Sequence, residues 1–302
     1  MVTTVAVVVG DLVTDVVAVS GQPLVAGSDI PAAVAVRGGG SGANTAAWLA
    51  ASGVPTAFVG VVGADGAGAD RVAELTDLGV RAVVRRAEGA ATGSVVVVSH
   101  GGERTMLSDR GANLLLSPAD VDAGLASGAR HLHLSGYVLL APPAREAGRY
   151  ALAAARRHGL TTSVDLAAAA IMRRVGPAEI LSCVEGVDLI LANRQEAAVL
   201  VGEAAPAELA ARLAASAGRA VVKCGAAGAV WARARGEVIE AAAQPVSVVD
   251  ATGAGDAFTA GLLAAWLSGG SPAEALRAGT SLGAAAIGLI GGRPTAGDAT
   301  RS

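Results

Sequence analysis

Aromatic side chains make up only 2% of this 302-residue chain. A core with so few rings must be closed by tight packing of small aliphatic side chains, and hydrophobic residues, many of them Ala and Val, reach 52%. Basic excess is lacking too: the net charge is −3. Without a positive field to hold a polyanion, nucleic-acid binding is excluded as the main task. Lysine occurs once, as Lys223, against 22 arginines, a skew that reads as composition bias. Two cysteines, Cys183 and Cys224, form no C-x-x-C pair, which fits a reducing, cytoplasmic setting. The first basic residue is Arg37, and the apolar run Val5 to Val9 stops at Gly10-Asp11, so no signal peptide is expected. The long uncharged stretches near 257–273 and 278–292 are broken by Gly, Ser and Pro and read as buried helices, not membrane spans.

What is present is a rhythm. Strand-length apolar runs (Thr4–Val9, Ala57–Val62, Val95–Ser99, His131–Ser135, Thr161–Asp165, Leu189–Ala192 and Ala220–Lys223) alternate with Ala-rich helical segments. The helices are expected at Ala43–Ala51, Gly66–Leu78, Pro142–His158, Gln195–Val201, Pro206–Ala217, Gly255–Leu267 and Pro272–Leu289. This alternation implies an α/β fold, with a mostly parallel sheet covered by helices on both faces. Residues 14–37 and 81–110 break the rhythm with β-like pieces, the second as Ala82–Arg85, Ser94–Ser99 and Arg104–Ser108. Two β inserts can pair into a small sheet that acts as a lid over a ligand cleft. No linker separates independent domains, so 1–302 reads as one domain.

Three loops carry candidate chemistry. In Asp250-Ala-Thr-Gly253-Ala254-Gly255-Asp256 a Gly-x-Gly turn leads into an apolar helix. Unpaired N–H groups and the dipole at such a helix start suit a phosphoryl group. Asp256 then either complements the dipole or accepts a hydroxyl proton beside that anion site. The cluster Arg37-Gly38-Gly39-Gly40-Ser41-Gly42-Ala43-Asn44 also precedes a helix. It is either a flexible turn or a place where backbone and Asn44 approach a ligand. Asn193-Arg194-Gln195-Glu196 follows a strand end. It can form a capping box, hold Mg²⁺ through water, or do both.

Other loop chemistries fail. A P-loop needs Gly-Lys-[Ser/Thr], whereas Lys223 lies between Val222 and Cys224. Gly60-Val-Val-Gly63-Ala-Asp65-Gly66-Ala-Gly68 lacks the Gly-x-Gly-x-x-Gly order of a dinucleotide loop. The four histidines have no metal spacing; His131 and His133 alternate on a strand as core or cleft lining.

Taken in order, the segments resemble the ribokinase-like (PfkB) carbohydrate kinase family, from Gly10 to about Thr295. The resemblance rests on Asp250-Ala-Thr-Gly-Ala-Gly-Asp256, on Gly39-Gly-Ser-Gly-Ala-Asn44 and on Gly60-x-x-Gly63-x-Asp65-x-x-Gly68. It implies a three-layer ribokinase-like fold with a small β lid, and ATP-dependent phosphorylation of a sugar hydroxyl. By the resemblance, Asp256 is the base, and Gly253, Ala254 and Gly255 cradle the phosphoryl group. Asp15, Gly39, Gly40, Ser41 and Asn44 grip the sugar. Asn193 and Glu196 organise Mg²⁺ and phosphates, and Lys223, Gly225 and Gly228 lie along the nucleotide. Asp250 and Thr252, with carbonyls near Ala286 and Gly291 and the side chain of Thr295, resemble a K⁺ site.

Two departures bear on the substrate. Val13 stands where ribokinases carry Asn, and Ser135 where they carry Glu, which puts ribose itself in doubt. The segment Gly102 to Asn113 resembles the ribokinase lid, and its Arg110 either meets an anionic or polyhydroxy substrate or is a solvated lid charge. Nucleoside kinases of the family often stack a base on a ring. The lid inserts hold no aromatic residue, which favours a sugar such as ribose, fructose or a keto-deoxy sugar over adenosine or pseudouridine. A sugar-binding protein without catalysis would show damage at Asp256 or the cradle, and both are intact. The resemblance also implies a homodimer through the lid, because an exposed β face needs cover.

Overall fold

In β1 (Ala6–Val9) every residue is buried. Val7 and Val9 enter one apolar layer with Leu152, Ile180 and Leu213, while Ala6 and Val8 join Trp48, Phe58 and Leu262 in the other. A continuous aliphatic strand does this when both faces of a parallel sheet are covered. The computed structural model describes residues 5–100, 103–126, 128–289 and 291–294.

The remaining strands are β2 (Val13–Val19), β3 (Ala33–Gly39), β4 (Thr56–Gly63), β5 (Arg81–Ala87), β6 (Gly93–His100), β7 (Glu103–Asp109), β8 (His131–Ser135), β9 (Thr161–Asp165), β10 (Leu189–Asn193), β11 (Arg219–Lys223), β12 (Ala229–Arg233) and β13 (Val238–Ala241). The helices are α1 (Ser41–Ala51), α2 (Gly66–Asp77), α3 (Pro118–Leu125), α4 (Pro142–Arg157), α5 (Ala169–Val175), α6 (Pro177–Val184), α7 (Arg194–Val201), α8 (Pro206–Ala217), α9 (Ala254–Leu267) and α10 (Pro272–Ile287).

Nine strands form the large sheet in the order β13-β12-β11-β10-β9-β8-β1-β4-β5. Pairing is parallel from β5 to β11 and antiparallel at β12 and β13. Side chains of α1, α2, α9 and α10 fill one layer, and those of α3 to α8 the other. The four-stranded small sheet runs β3-β2-β6-β7. This is the three-layer, lidded α/β fold expected.

One expected lid piece belongs elsewhere. Arg81–Ala87 pairs in parallel with β4 at the edge of the large sheet. A strand pattern identifies a strand but not its partner; here β4, α2 and β5 make an ordinary crossover unit. The second lid insert therefore starts at Gly93. Helices α3, α5 and α6 and the hairpin β12–β13 go beyond the elements read from the sequence.

The lid is tied to the body at its roots. Asn113 accepts from Leu12 N at 2.9 Å and donates to Leu12 O at 3.1 Å and Arg110 O at 2.9 Å. Asp65 caps α2 through Gly68 N at 2.8 Å and also accepts from Thr92 N and Oγ1, just before β6. The Gly60-to-Gly68 motif thus positions the lid. No helix among the described residues is long and apolar enough to cross a membrane.

Candidate active site

The cleft lies at the carboxyl ends of the strands, where open α/β sheets bind ligands. Strand-end residues Asp165, Asn193 and Lys223 open into a cavity of about 480 Å³, roofed by Val95, Met106 and Ser108 of the lid. Predicted residues Asp15, Gly40, Ser41, Asn44, Arg110, Glu196, Gly225, Thr252, Gly253, Gly255 and Asp256 line the same space. Gly39, Ser135, Gly228, Asp250 and Ala254 are not among its lining residues.

Asp256 sits in the first turn of α9, behind Gly253, whose left-handed φ of 73° forms the turn into the helix. A Cβ at Gly253 would press into the backbone of Gly292. Ser41 Oγ donates to Asp256 Oδ1 at 2.8 Å, and Asn44 Nδ2 donates to Oδ2 at 2.9 Å. Burial pushes the Asp256 carboxyl up to about 7, against the pull of these two bonds and of nearby Lys223. A carboxylate poised near neutrality beside a helix N-terminus can take a proton where a phosphoryl group would rest.

Opposite it, Lys223 Nζ lies 2.7 Å from both oxygens of Asp165, and Thr259 Oγ1 donates to Asp165 Oδ2 at 2.6 Å. Burial favours neutral Lys223, but Asp165 and Glu196 outweigh it and raise the ammonium's pKa. Its nitrogen reaches the first turn of α9, 3.5 Å from where a Cβ on Gly255 would stand. Lys223 therefore sits at the first turn of α9, anchored by Asp165, a residue without a recognisable motif. The Asn193–Glu196 capping box is formed: Asn193 Oδ1 accepts from Glu196 N at 2.9 Å, and Glu196 Oε2 accepts from Asn193 N at 2.8 Å. Burial still pushes Glu196 up to about 7. Ala168, which has a left-handed φ of 56°, lines the same cavity.

On the lid side, Asp15 is buried and raised to about 6 by desolvation. Gly39 packs so closely on its carboxylate that a Cβ would overlap it. Ser135 is buried, and its hydroxyl donates to Asp11 Oδ1 at 3.3 Å, so Asp11 faces the cleft in its place. Arg110 lies over the ring of Tyr137, 5.1 Å from the centroid. Tyr137 lines the cavity, so an aromatic residue does enter the site, from the turn after β8 and not from the lid. His131 and His133 are core residues: both share Ser163 Oγ at 2.8 Å. Asp250 accepts from Thr252 N and Gly291 N, each at 2.9 Å. Thr295 lies outside the described residues.

The family model for pfkB family carbohydrate kinases matches residues 3–297. An ATP-dependent ribose-1-phosphate kinase of Halopiger xanaduensis is 32% identical over 271 residues, covering 86% of this chain and 84% of that protein. A fructokinase of Klebsiella pneumoniae is 34% identical over 78% of each chain. The crystal structure of adenosine kinase from Sinorhizobium meliloti superposes with a TM-score of 0.88 at 29% identity, over 99% of this chain and 98% of that one.

Proposed function

Because the chain belongs to the pfkB family of carbohydrate kinases, we propose that it moves the γ-phosphoryl group of ATP onto a primary hydroxyl of a small sugar, with Asp256 as general base. The observation that carries this reading is Asp256 itself. Its carboxyl is tuned to about 7, held by Ser41 and Asn44, and shares one cleft with Asp15. Asp15 and Asp11 grip sugar hydroxyls under the lid. Asp256 takes the proton of the attacking hydroxyl, and the first-turn amides of α9 and the Lys223 ammonium bear the charge of the phosphoryl group in transfer.

ATP arrives with Mg²⁺, which keeps part of its water and needs only one or two carboxylates besides the phosphates. Glu196, buried with its pKa raised, fits that part, because a cation would repay its ionisation. Bound there, Mg²⁺ would neutralise phosphate charge. Asp250 and Thr252, in the loop tied to Gly291, are the residues we assign to K⁺.

The acceptor we favour is a neutral or phosphorylated monosaccharide. The relatives include a ribose-1-phosphate kinase, a fructokinase and 5-dehydro-2-deoxygluconokinase, and Arg110 offers a guanidinium at the lid side of the cleft. Tyr137 and the likeness to an adenosine kinase support a nucleoside as the second reading. Assaying ribose, ribose 1-phosphate, fructose, 2-keto-3-deoxygluconate, adenosine and pseudouridine with ATP, Mg²⁺ and K⁺ separates the two. Turnover of adenosine or pseudouridine alone would reverse the preference, and binding without turnover on every compound would favour a non-catalytic protein.

We also read the lid as a homodimer surface. Register aligns Val36, Val16, Val96 and Leu107 in one row. Val36, Val96 and Leu107 of that row are exposed, as is Val34 two residues along. A continuous apolar face of this kind needs cover.

A further inference from the structure

Arg293 is absent from every motif in the chain, yet it is buried, with 7% of its side chain exposed. It lies in Gly291-Gly292-Arg293-Pro294, beyond α10. Each of the first three residues is fastened to the site. Gly291 N donates to Asp250. Gly292 O accepts from the indole Nε1 of Trp48 at 3.0 Å. A Cβ on Gly292 would come within 2.5 Å of Asn44 Nδ2, so only glycine fits between Asn44 and the Gly253 turn. Arg293 then spreads its guanidinium over three partners: Nε donates to Asn44 Oδ1 at 3.0 Å, Nη2 to Gly39 O at 2.5 Å, and Nη1 to Glu74 Oε2 at 3.5 Å.

The chemistry of these groups has a direction. A guanidinium can only donate, and an ionised carboxylate can only accept. Asn44 stands between one of each. With its oxygen taken by Arg293, its amide nitrogen must face Asp256, as observed at 2.9 Å. Remove Arg293, and the amide is free to turn its oxygen toward the carboxylate, where it repels.

Resting on the reading of Asp256 as the base, we propose that Arg293 is a positioning residue for catalysis: it locks the Asn44 amide so that Asn44 always donates to Asp256. Through Gly39 O the same side chain fixes the end of β3 against Asp15, and its charge opposes the raising of the Asp15 pKa. One arginine thus sets the base and the sugar-gripping carboxylate in register. Nothing in this role contacts ATP, so nucleotide affinity should not depend on it.

The test is steady-state kinetics of Arg293→Met, Arg293→Lys, Asn44→Ala and the Met/Ala double variant, on whichever sugar the wild type turns over, with melting curves alongside. The lock predicts that Arg293→Met lowers kcat by about 10- to 100-fold while the KM for ATP holds, since a small misplacement at a reacting centre costs that much. Arg293→Lys, which keeps the charge and its donors on a single nitrogen but not the guanidinium fork, recovers part of the loss. Asn44→Ala costs far less in the Met background than in the wild type, because the two act through one contact. A folded Arg293→Met enzyme with wild-type kcat overturns the proposal, as do losses that simply multiply in the double variant. If the Met variant does not fold, Arg293→Lys with and without Asn44→Ala decides by the same criterion. Asp256→Asn is measured in parallel. If it stays active, the assignment of the base falls and takes this inference with it; if it is dead while Arg293→Met is normal, only this inference falls.

Discussion

Lys223 and Asp165 form a two-contact ion pair inside the cleft, with Nζ 2.7 Å from each carboxylate oxygen. Only 16% of the lysine side chain and 5% of the aspartate side chain are exposed. Removing one partner leaves the other charge buried. Lys223→Met should therefore destabilise the fold by about 3 kcal/mol, read by chemical denaturation. Adding Asp165→Asn should return part of that loss; a double variant less stable than the single one would contradict the pairing.

Asp256→Asn should lower kcat by about 10³-fold, the scale of a lost general base, while ATP still binds in a calorimeter. Near-normal turnover would remove Asp256 from its role.

The pH dependence follows from the same group. A base works ionised, so with Asp256 raised to about 7, kcat should climb as pH rises through neutrality and level off above it. Stability runs the other way. The folded state holds this proton more tightly than the unfolded chain, so the contribution is present below the ordinary Asp range and lost as pH rises through about 7. Asp256→Asn should therefore melt higher than wild type at pH 8, with a smaller gain at pH 5. Equal melting temperatures at pH 8 would show that the carboxylate carries no such penalty.

Gly253→Ala would place a side chain at a left-handed φ of 73° and against Gly292. The backbone alone costs about 1–2 kcal/mol, and the displaced turn should reduce kcat as well. A variant with wild-type melting and turnover would mean that the turn tolerates the change.

Val36→Asp puts a charge at the β3 end of the outer lid row. If that row covers a partner copy, the wild type should run as a dimer and the variant as a monomer in light scattering. A monomeric wild type at micromolar concentration would rule the interface out.

The chain announces some of this plainly. Glycines clustered before helices expose the two loops around Asp256 and Asn44, because few other residues permit such turns. The long aliphatic runs expose the parallel sheet. Partnership is what stays hidden. Arg81–Ala87 reads as a strand whichever sheet receives it, and only its place after α2 sends it to β4. Asp165 is an ordinary strand end until Lys223, 58 residues later, closes on it. Arg293 is one of 22 arginines, and its partner Asn44 lies 249 residues away. Tyr137 enters the cleft through a short turn that carries no motif. Glu196 shows both sides: its capping box was legible from spacing, whereas its raised pKa comes from a burial that spacing does not reveal.

The indole of Trp48 bonded to Gly292 O has a practical side. The chain has three tryptophans, and Trp231 and Trp266 lie together, 6.5 Å apart between ring centroids, away from the cleft. Trp48 touches the segment that packs on the Gly253 turn. Its emission therefore serves as a built-in optical reporter, so that a shift of the Gly253 turn when ATP or a monovalent cation is added can be followed in the unlabelled protein.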